Sequence, residues 1–378
     1  MRWINFILAT AMLAGTIIGV GVFGLPYVAS QAGLAPAFFY LAVLTGVVVF
    51  IHLIYGEIVL RTKTKHRLPG YAQVYLGQTG RWLAAVIFFV SLYLALLAYL
   101  LIGGEFLSAL VSNWYPITSA SGTLILAVFG FGLVFLGLKL SGIFELLMTA
   151  VLVVMILGLV FYGFGFMEKS NLTLFESGPA LFLPYGVILF SLAGGSAIPE
   201  IRNFFARGRI LKKAIICGTV IPAIVYGLFI LVVVGISGKN TSVEAVGGLT
   251  PFFGSGFMKY AAMIGFLAVI TSFLTLGLNI KNSLRLDFKL PHFLSFVLTA
   301  GVPLALYFLG WNDFIKILSF AGAVLGGLEG ILLLVIWNQA RLKGDREPEY
   351  ALKNSRLMQL VLFAILVLGV FYQLMYGV

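Results

Sequence analysis

GTIIGVGVFGLP, Gly15 to Pro26, interrupts the first long apolar segment of the chain with glycine and proline. In a helix interior, glycine costs about 1 kcal/mol and proline about 3 kcal/mol relative to alanine. At membrane depth, freed backbone N–H and C=O groups persist only where they line a cavity or meet a ligand. We therefore predict two half-helices over residues 5–18 and 23–31, with Val20 and Gly21 unwound between them.

The amides of this interruption predict a seat for an anion. The second half-helix directs its unpaired N–H groups and positive dipole end toward the bilayer centre, where a carboxylate would be stabilised. Gly19 to Gly24 also satisfies G-x-G-x-x-G, but a dinucleotide site needs a preceding strand and an acid about 20 residues further on. The next acid is Glu57, which disfavours a nucleotide. Gly15 and Gly19 also form G-x-x-x-G, so close helix packing stays an alternative.

Composition indicates an all-α polytopic membrane protein. The 378 residues are 61% hydrophobic and only 10% charged, and apolar runs of about 20 residues recur along the chain. The single cysteine, Cys217, excludes an intramolecular disulfide. Eleven segments are predicted to cross the membrane, at about 4–31, 35–60, 82–111, 122–139, 141–166, 179–200, 211–237, 257–283, 291–309, 313–338 and 357–376.

The basic residues indicate the topology. With the N-terminus in the cytoplasm and the C-terminus outside, 20 of the 24 lysines and arginines fall on the cytoplasmic side, as the positive-inside rule expects. The net charge of +11 therefore reports topology and contact with anionic membrane lipids, and nucleic acid is set aside as a partner. Short loops suggest a prokaryotic inner membrane. Nothing in the sequence indicates an oligomeric state.

The sixth segment repeats the peculiarity of the first. Residues 191–200, SLAGGSAIPE, interrupt it at membrane depth. Five helices separate the two interruptions, so the broken segments cross in opposite directions, which is typical of inverted-repeat transporters. We predict one transmembrane domain over 1–378, with five-helix repeats over about 4–166 and 179–338 and an added helix over 357–376.

Three stretches resemble the amino acid/polyamine/organocation superfamily, and within it the aromatic amino acid permease and amino acid/auxin permease branch. They are GTIIGVGVFGLPY in the first segment, FSLAGGSAIPEIRN in the sixth and AVITSFLTLG in the eighth, and FAGAVLGGLEGILL in the tenth extends the likeness. The resemblance implies a secondary transporter that imports amino acids, aromatic or other large neutral ones among them, by ion-coupled alternating access. It is poor at naming the substrate.

The resemblance also implies a substrate site. Val20 and Gly21 match the positions whose amides receive the substrate carboxylate, and Phe190, Ser191 and Ala193 match positions facing its amine. A helix N-terminus suits an anion and a C-terminus a cation, so a zwitterion fits between the two interruptions. The small residues Ala193, Gly194 and Gly195 hint at room for a large side chain. Phe190 is interpreted equally as a packed aromatic or a gate.

A sodium site is implied on the same grounds. Relatives that use sodium ligate it with oxygens from the first interruption and the eighth segment, which match Gly15, Ile18, Ala268, Thr271 and Ser272 here. Hard cations prefer oxygen ligands. The alternative is that Thr271 and Ser272 bond back to carbonyls of the preceding turn. The fifth segment has no lysine, whereas proton-coupled members often carry one there, which leans toward sodium.

Acidic residues at membrane depth are the candidates for a proton carrier. Glu329 is placed deepest, in the tenth segment. We assign it equally to ion coupling or to a structural role. Glu105 lies in the outer third of the third segment. For Glu57, Glu145 and Glu200 we favour pairing with Arg61, Lys139, Arg202 or Lys281. His52 is interpreted as a buried neutral histidine bonded to a neighbour, and Tyr93 or Tyr99 as weak candidates for a bond to the substrate carboxylate.

The candidate functions fall into three classes. A transporter of amino acids, or of another small amine or organic solute, agrees with both interruptions. A membrane enzyme is disfavoured because only two aspartates, Asp287 and Asp313, lie outside residues 339–356, too few for a convergent metal or catalytic set. A channel is harder to exclude since broken helices also build selectivity filters. No cofactor is predicted beyond a coupling ion, Na+ or H+.

Overall fold

The structure is a computed structural model that describes residues 2–112, 114–137, 142–176, 179–202, 209–286 and 288–377. These residues form α-helices and short 3-10 or π turns, with no strand among them. The α-helices are α1 Arg2–Ile17, α2 Gly21–Ala32, α3 Leu34–Arg61, α4 Leu68–Val111, α5 Ser119–Leu136, α6 Gly142–Gly163, α7 Leu183–Ser191, α8 Ile198–Ile201, α9 Arg209–Ser237, α10 Thr250–Leu286, α11 His292–Phe308, α12 Phe314–Phe320, α13 Gly327–Lys343 and α14 Arg356–Tyr376.

The described helices confirm a polytopic membrane protein. Nine spans are long and apolar enough to cross a bilayer, and α1 with α2 make a tenth if the bent pair counts as one. The shorter apolar helix α11 falls where the ninth segment is predicted, so each of the eleven segments has a helical counterpart. The division into two inverted repeats stays a prediction. Below, the N-terminal face is the side of the bundle where α1 begins, and the far face is the opposite side.

Two helices begin earlier than predicted. The third segment is predicted from 82, but α4 begins at Leu68, and the eighth is predicted from 257, but α10 begins at Thr250. Each helix contains a glycine with positive φ, Gly77 at 75° and Gly254 at 76°. Glycine takes this conformation without the steric penalty of a Cβ, so the chain bends and resumes its helix. Hydropathy alone does not detect these added turns.

Helix α9 packs at the centre and α14 at the periphery. Helix α9 contacts α1, α2, α3 and α6, and its Tyr226 and Phe229 are fully buried. Between α3 and α9, the Nδ1 atom of His52 lies 3.0 Å from the Thr219 hydroxyl, which confirms the predicted buried, hydrogen-bonded histidine. Helix α14 contacts α13, α7 and the π turn Ala321–Gly326.

At the N-terminal face, a buried carboxylate ties the segment after α13 to α3. Glu57 accepts a hydrogen bond from Arg61 Nε at 2.8 Å and another from the Leu352 amide at 2.8 Å. The Tyr350 hydroxyl donates to the Leu53 carbonyl at 2.8 Å. Burial, followed by the nearby Glu57 carboxylate, raises the pKa of Tyr350 well above its usual value of 10. The predicted Glu57–Arg61 pair is confirmed.

Two predicted ion-pair partners bind carbonyl groups instead. Arg202 donates to the carbonyls of Val59 and Thr62 at 2.8 and 3.1 Å. Lys281, which is buried, donates to the carbonyls of Val134 and Phe135 at the end of α5. The last carbonyls of a helix have no partner within the helix and attract a cation, which accounts for these bonds. Among the described residues, neither cation forms an ion pair with a carboxylate. Lys139 and the side chain of Glu145 lie outside the described residues.

Replacing Glu57 by alanine is expected to lower the free energy of unfolding by about 3 kcal/mol, because it leaves the partly buried Arg61 guanidinium and the Leu352 amide without their acceptor. The measurement is denaturant or thermal unfolding of the purified protein in detergent. Glu176→Ala is the matched control. Glu176 pairs with Lys239 at 3.1 Å, but the lysine is 74% exposed, and such surface pairs contribute about 1 kcal/mol or less. Equal losses in the two variants would contradict a structural role for Glu57.

Candidate substrate and ion site

The first interruption is a bend of 57° between α1 and α2. Residues 18–20 join the two half-helices, and the Val20 amide nitrogen lies 3.5 Å from the Tyr99 hydroxyl, which accepts its hydrogen bond. The second half-helix begins at Gly21, so the prediction that it begins at residue 23 is wrong. Val20 already has helical angles, and the amides of Val22 and Phe23 each bond to the carbonyl three residues earlier at 3.3 Å. These bonds form the first turn of α2 directly after the interruption.

The second interruption separates α7 from α8. Helix α7 ends at Ser191, whose hydroxyl donates to the Val187 carbonyl at 2.7 Å. A single 3-10 turn, Gly195–Ala197, precedes α8. The predicted break in the sixth segment is therefore confirmed. Within it, Ala193 is exposed, and Phe190 before it is half-buried.

The two interruptions meet. A Cβ atom added to Gly21 would lie 2.9 Å from both Cα and Cβ of Ser191, so the start of α2 and the end of α7 touch without an intervening side chain. Gly194 does not border the open space that was predicted for a large substrate side chain. A Cβ there would overlap the side chain of Ile17 and lie 3.1 Å from Leu13 Cδ1, so residue 194 faces packed α1 side chains, not open room.

A tyrosine that sequence reasoning missed joins both interruptions. Tyr226 on α9 is fully buried, and its hydroxyl donates to the Ile17 carbonyl at 2.8 Å and lies 3.1 Å from the Ser191 carbonyl. Ile17 ends α1 and Ser191 ends α7. The carbonyl ends of both half-helices therefore converge on one phenolic oxygen, while the amide of Val20 lies beside another, that of Tyr99.

A small cavity of about 10 Å³ lies beside the first interruption, with room for about one water molecule. Three predicted cation residues, Ile18, Ala268 and Ser272, line it, together with Gly19, Val20, Phe23, Tyr99, Thr149, Leu152 and Val269. Gly15 and Thr271 are not among its lining residues. The Thr271 hydroxyl donates to the Ala268 carbonyl at 3.0 Å. This is the bond to the preceding turn that is the alternative to sodium ligation.

The fifth predicted segment contributes a hydroxyl-bearing residue to this cavity. Thr149 and Leu152 of α6 line the cavity, and the described lining contains no charged side chain. Oxygen atoms of backbone carbonyls and hydroxyls suit a hard monovalent cation such as sodium. The donor set therefore fits a desolvated cation held by neutral oxygens.

Glu329 lies at the second interruption and not at this cavity. It follows the π turn in helix α13, and its Oε1 atom would lie 3.5 Å from a Cβ added to Gly195. The ring of Tyr55 is the next neighbour of that same point. The residues predicted for ion coupling thus occupy two places, one beside each interruption.

The far-face half of the first broken helix is closed off from solvent. Residues Gly21 to Pro26 are all buried, and the Phe23 ring packs edge-on against Phe106 with centroids 4.9 Å apart. A Cβ on Gly24 would lie 3.1 Å from Leu318 of α12. A second pocket of about 320 Å³ lies toward the far face and is lined by Glu105, Glu244 and Lys259, but by no residue of either interruption.

Comparison with known proteins finds a family of permeases and transporters. The model of the tryptophan/tyrosine permease family matches residues 4–373. The chain is similar to "Tyrosine-specific transport system 1" of Haemophilus influenzae, at 25% identity over 96% of the chain and 94% of that protein. It is also similar to "Tyrosine-specific transport system 2" of the same organism, at 24% identity over 97% and 96%. "Glutamine transporter 2" of Aliivibrio fischeri is 24% identical over 83% and 84%.

Proposed function

Because this chain belongs to the tryptophan/tyrosine permease family, it is an integral membrane amino acid transporter and not an enzyme, and we propose that it imports large neutral amino acids, aromatic ones first, by ion-coupled alternating access. The N-terminal face lies in the cytoplasm of a prokaryotic cell, since that topology gives the positive-inside distribution of basic residues. The superfamily resemblance of the three motif stretches supports the same mechanism.

The contact between the two interruptions is the observation that carries this proposal. Gly21 touches Ser191, so the amides that start α2 lie next to the carbonyls that end α7. Helix N-termini stabilise anions and helix C-termini stabilise cations. The carboxylate of an amino acid would bind at Val20 and Gly21, and its ammonium group would bind toward Ser191 and Ala193. A zwitterion satisfies both ends, whereas a simple anion or cation satisfies one.

The closed state of the site supports alternating access over a channel. A cavity of about 10 Å³ holds no amino acid, and the burial of Gly21 to Pro26 closes the far face. Substrate can enter only if the half-helices move relative to α4 and α12. A carrier must do so once in each cycle, and its uptake saturates with substrate concentration, whereas flux through an open channel does not.

Aromatic residues around the interruptions favour an aromatic substrate. Phe23 and Tyr99 line the cavity, and Phe190 lies directly before Ser191. Aromatic pairs contribute about 0.5–1.5 kcal/mol beyond their buried area. Two of the similar proteins are named for tyrosine and one for glutamine, so glutamine is the second candidate. Competition of labelled tyrosine by excess tryptophan, glutamine or a small amine would rank these substrates.

Sodium is the proposed coupling ion, held beside the first interruption. Ile18, Ala268 and Ser272 line the cavity and would supply carbonyl and hydroxyl oxygens to the ion. The Thr271 hydroxyl bonds to the Ala268 carbonyl and would orient it. Gly15, one turn before Ile18, would contribute a further carbonyl as α1 moves. If protons drive transport instead, Glu329 is the proposed proton carrier, since its Oε1 atom lies 3.5 Å from the Cβ position of Gly195 at the second interruption.

Ser272→Ala is expected to raise the sodium concentration for half-maximal uptake at least about tenfold, because loss of one ligand removes about 1.4 kcal/mol of binding. The assay is uptake of labelled tyrosine into proteoliposomes under an inward sodium gradient and, separately, an inward proton gradient. Ser91→Ala is the control, since the Ser91 hydroxyl donates to Ile87 of its own helix at 2.8 Å, away from the cavity.

The outcomes of this assay distinguish sodium coupling from proton coupling. Accumulation under sodium alone, weakened in Ser272→Ala but not in Ser91→Ala, supports the sodium site. Accumulation under protons alone, abolished in Glu329→Gln, overturns sodium in favour of the carboxylate. Absence of saturable uptake of tyrosine and of glutamine under both gradients would overturn the import of large neutral amino acids.

A further inference from the structure

Tyr226 bonds both helix interruptions but has no role in the transport mechanism proposed above. Its side chain is fully buried in α9, and its single hydroxyl proton faces two acceptors, the carbonyls of Ile17 at 2.8 Å and Ser191 at 3.1 Å. These carbonyls belong to different broken helices. They are brought within hydrogen-bond distance of one oxygen by a side chain of a third helix.

The two carbonyls need such a partner because each ends a helix. The last carbonyls of a helix have no intrahelical donor, and at membrane depth no bulk water replaces it. The Ile17 carbonyl also accepts a bond from the Gly19 amide at 2.9 Å, so the hydroxyl of Tyr226 fills its second lone pair. The Tyr226 hydroxyl therefore fixes the direction of the Ile17 carbonyl at the start of the first interruption.

Helix α9, which carries this hydroxyl, is packed against several other helices. It packs along α1, where Gly218 allows Leu13 to approach within 2.9 Å of its Cβ position, and it also contacts α2 and α3. The hydroxyl is thus held by a helix that runs from Arg209 to Ser237, with Pro222 one turn before Tyr226. It is the one described side chain that bonds carbonyls of both interruptions.

We infer that Tyr226 is a positioning residue that fixes the two helix interruptions relative to each other, with the Tyr226 hydroxyl as the link between the ends of α1 and α7. This inference rests on the proposed function, because the spacing matters for a ligand bound between the two interruptions. Without the hydroxyl, each half-helix end keeps its packing but loses its common anchor. The substrate then has to order both ends itself, which weakens binding without blocking the transport cycle.

Tyr226→Phe tests the inference because it removes one oxygen and keeps the ring. The KM for labelled tyrosine in proteoliposomes is expected to rise at least about tenfold, with the maximal rate within about twofold of the wild type. Tyr185→Phe is the matched control. The buried Tyr185 hydroxyl also donates to a backbone carbonyl, that of Ile365 at 3.0 Å, but this bond lies away from both interruptions, so its KM should not change.

Hydrogen exchange of the purified protein supplies a readout that needs no substrate. In Tyr226→Phe, amide exchange should accelerate in residues 18–20 and 192–194 and stay unchanged elsewhere. An unchanged KM together with unchanged exchange at both interruptions would overturn the inference, and so would acceleration spread over the whole chain, which indicates general destabilisation. If the wild type fails to transport amino acids while exchange accelerates only at the interruptions, the proposed function fails and the anchoring by Tyr226 stands.

Discussion

Replacing Gly21 by alanine is expected to reduce saturable amino acid uptake at least about 100-fold, which corresponds to about 2.7 kcal/mol. A methyl group at residue 21 would lie 2.9 Å from Cα and Cβ of Ser191, and neither atom can rotate away. The start of α2 must then separate from the end of α7. The proposed carboxylate site at the start of α2 and the proposed amine site at the end of α7 are then displaced from each other. The substrate cannot bind at both.

Uptake of labelled tyrosine by proteoliposomes, normalised to the amount of inserted protein, measures this effect. Gly46→Ala is the matched control, because a Cβ on Gly46 of α3 meets nothing within 4 Å and the change in helix propensity is the same. Thermal unfolding in detergent separates loss of the site from loss of the fold. Uptake by Gly21→Ala equal to that of Gly46→Ala would show that the contact with Ser191 does not matter for transport.

The interruptions themselves could be predicted from the sequence because their cause is local. Glycine and proline weaken a helix wherever they occur, so Gly19 and Pro199 mark the two breaks without any tertiary information. The exact start of α2 was less accessible. It depends on Val20 taking helical angles and on the weak 3.3 Å bonds that close the next turn, and these are set by packing against α4 and α7.

The residues that complete the site depend on distant parts of the chain. Tyr226 bonds a carbonyl that is 209 residues away and another that is 35 residues away. Every residue has a backbone carbonyl, so the residue type of the acceptor does not indicate such a bond. With 16 tyrosines in the chain, no pattern singles this one out. Gly194 shows the converse, because a small residue in sequence suggested open room that Ile17 and Leu13 fill.

A close backbone contact lies on the far-face side of the second interruption. Helix α7 lies backbone to backbone against the tenth membrane span, where a π turn, Ala321–Gly326, joins α12 to α13. A Cβ on Gly322 would overlap the Gly186 carbonyl oxygen and lie 2.6 Å from the Phe190 amide nitrogen. On the other side of the contact, a Cβ on Gly186 would lie 2.7 Å from Ser319 Cα. π turns inside helices are frequent at functional sites.

Gly322→Ala is therefore expected to hold the far face open and to reduce uptake about 10- to 100-fold, equivalent to about 1.4–2.7 kcal/mol, because α7 can no longer approach the π turn. Accessibility of residue 23 reports the closure directly. Phe23 is buried against Phe106, so a Phe23→Cys reporter in a Cys217→Ser background should be protected from a membrane-impermeant thiol reagent added at the far face. Adding Gly322→Ala should make that reporter reactive.

Gly326→Ala is the matched control within the same turn. Its Cβ would meet Leu189 Cγ at 3.6 Å, an ordinary van der Waals contact, while the change in backbone freedom is the same as at residue 322. Protection of residue 23 and transport should both survive in this variant. If Gly322→Ala is as active and as well protected as Gly326→Ala, the contact between α7 and the π turn is not what closes the far face.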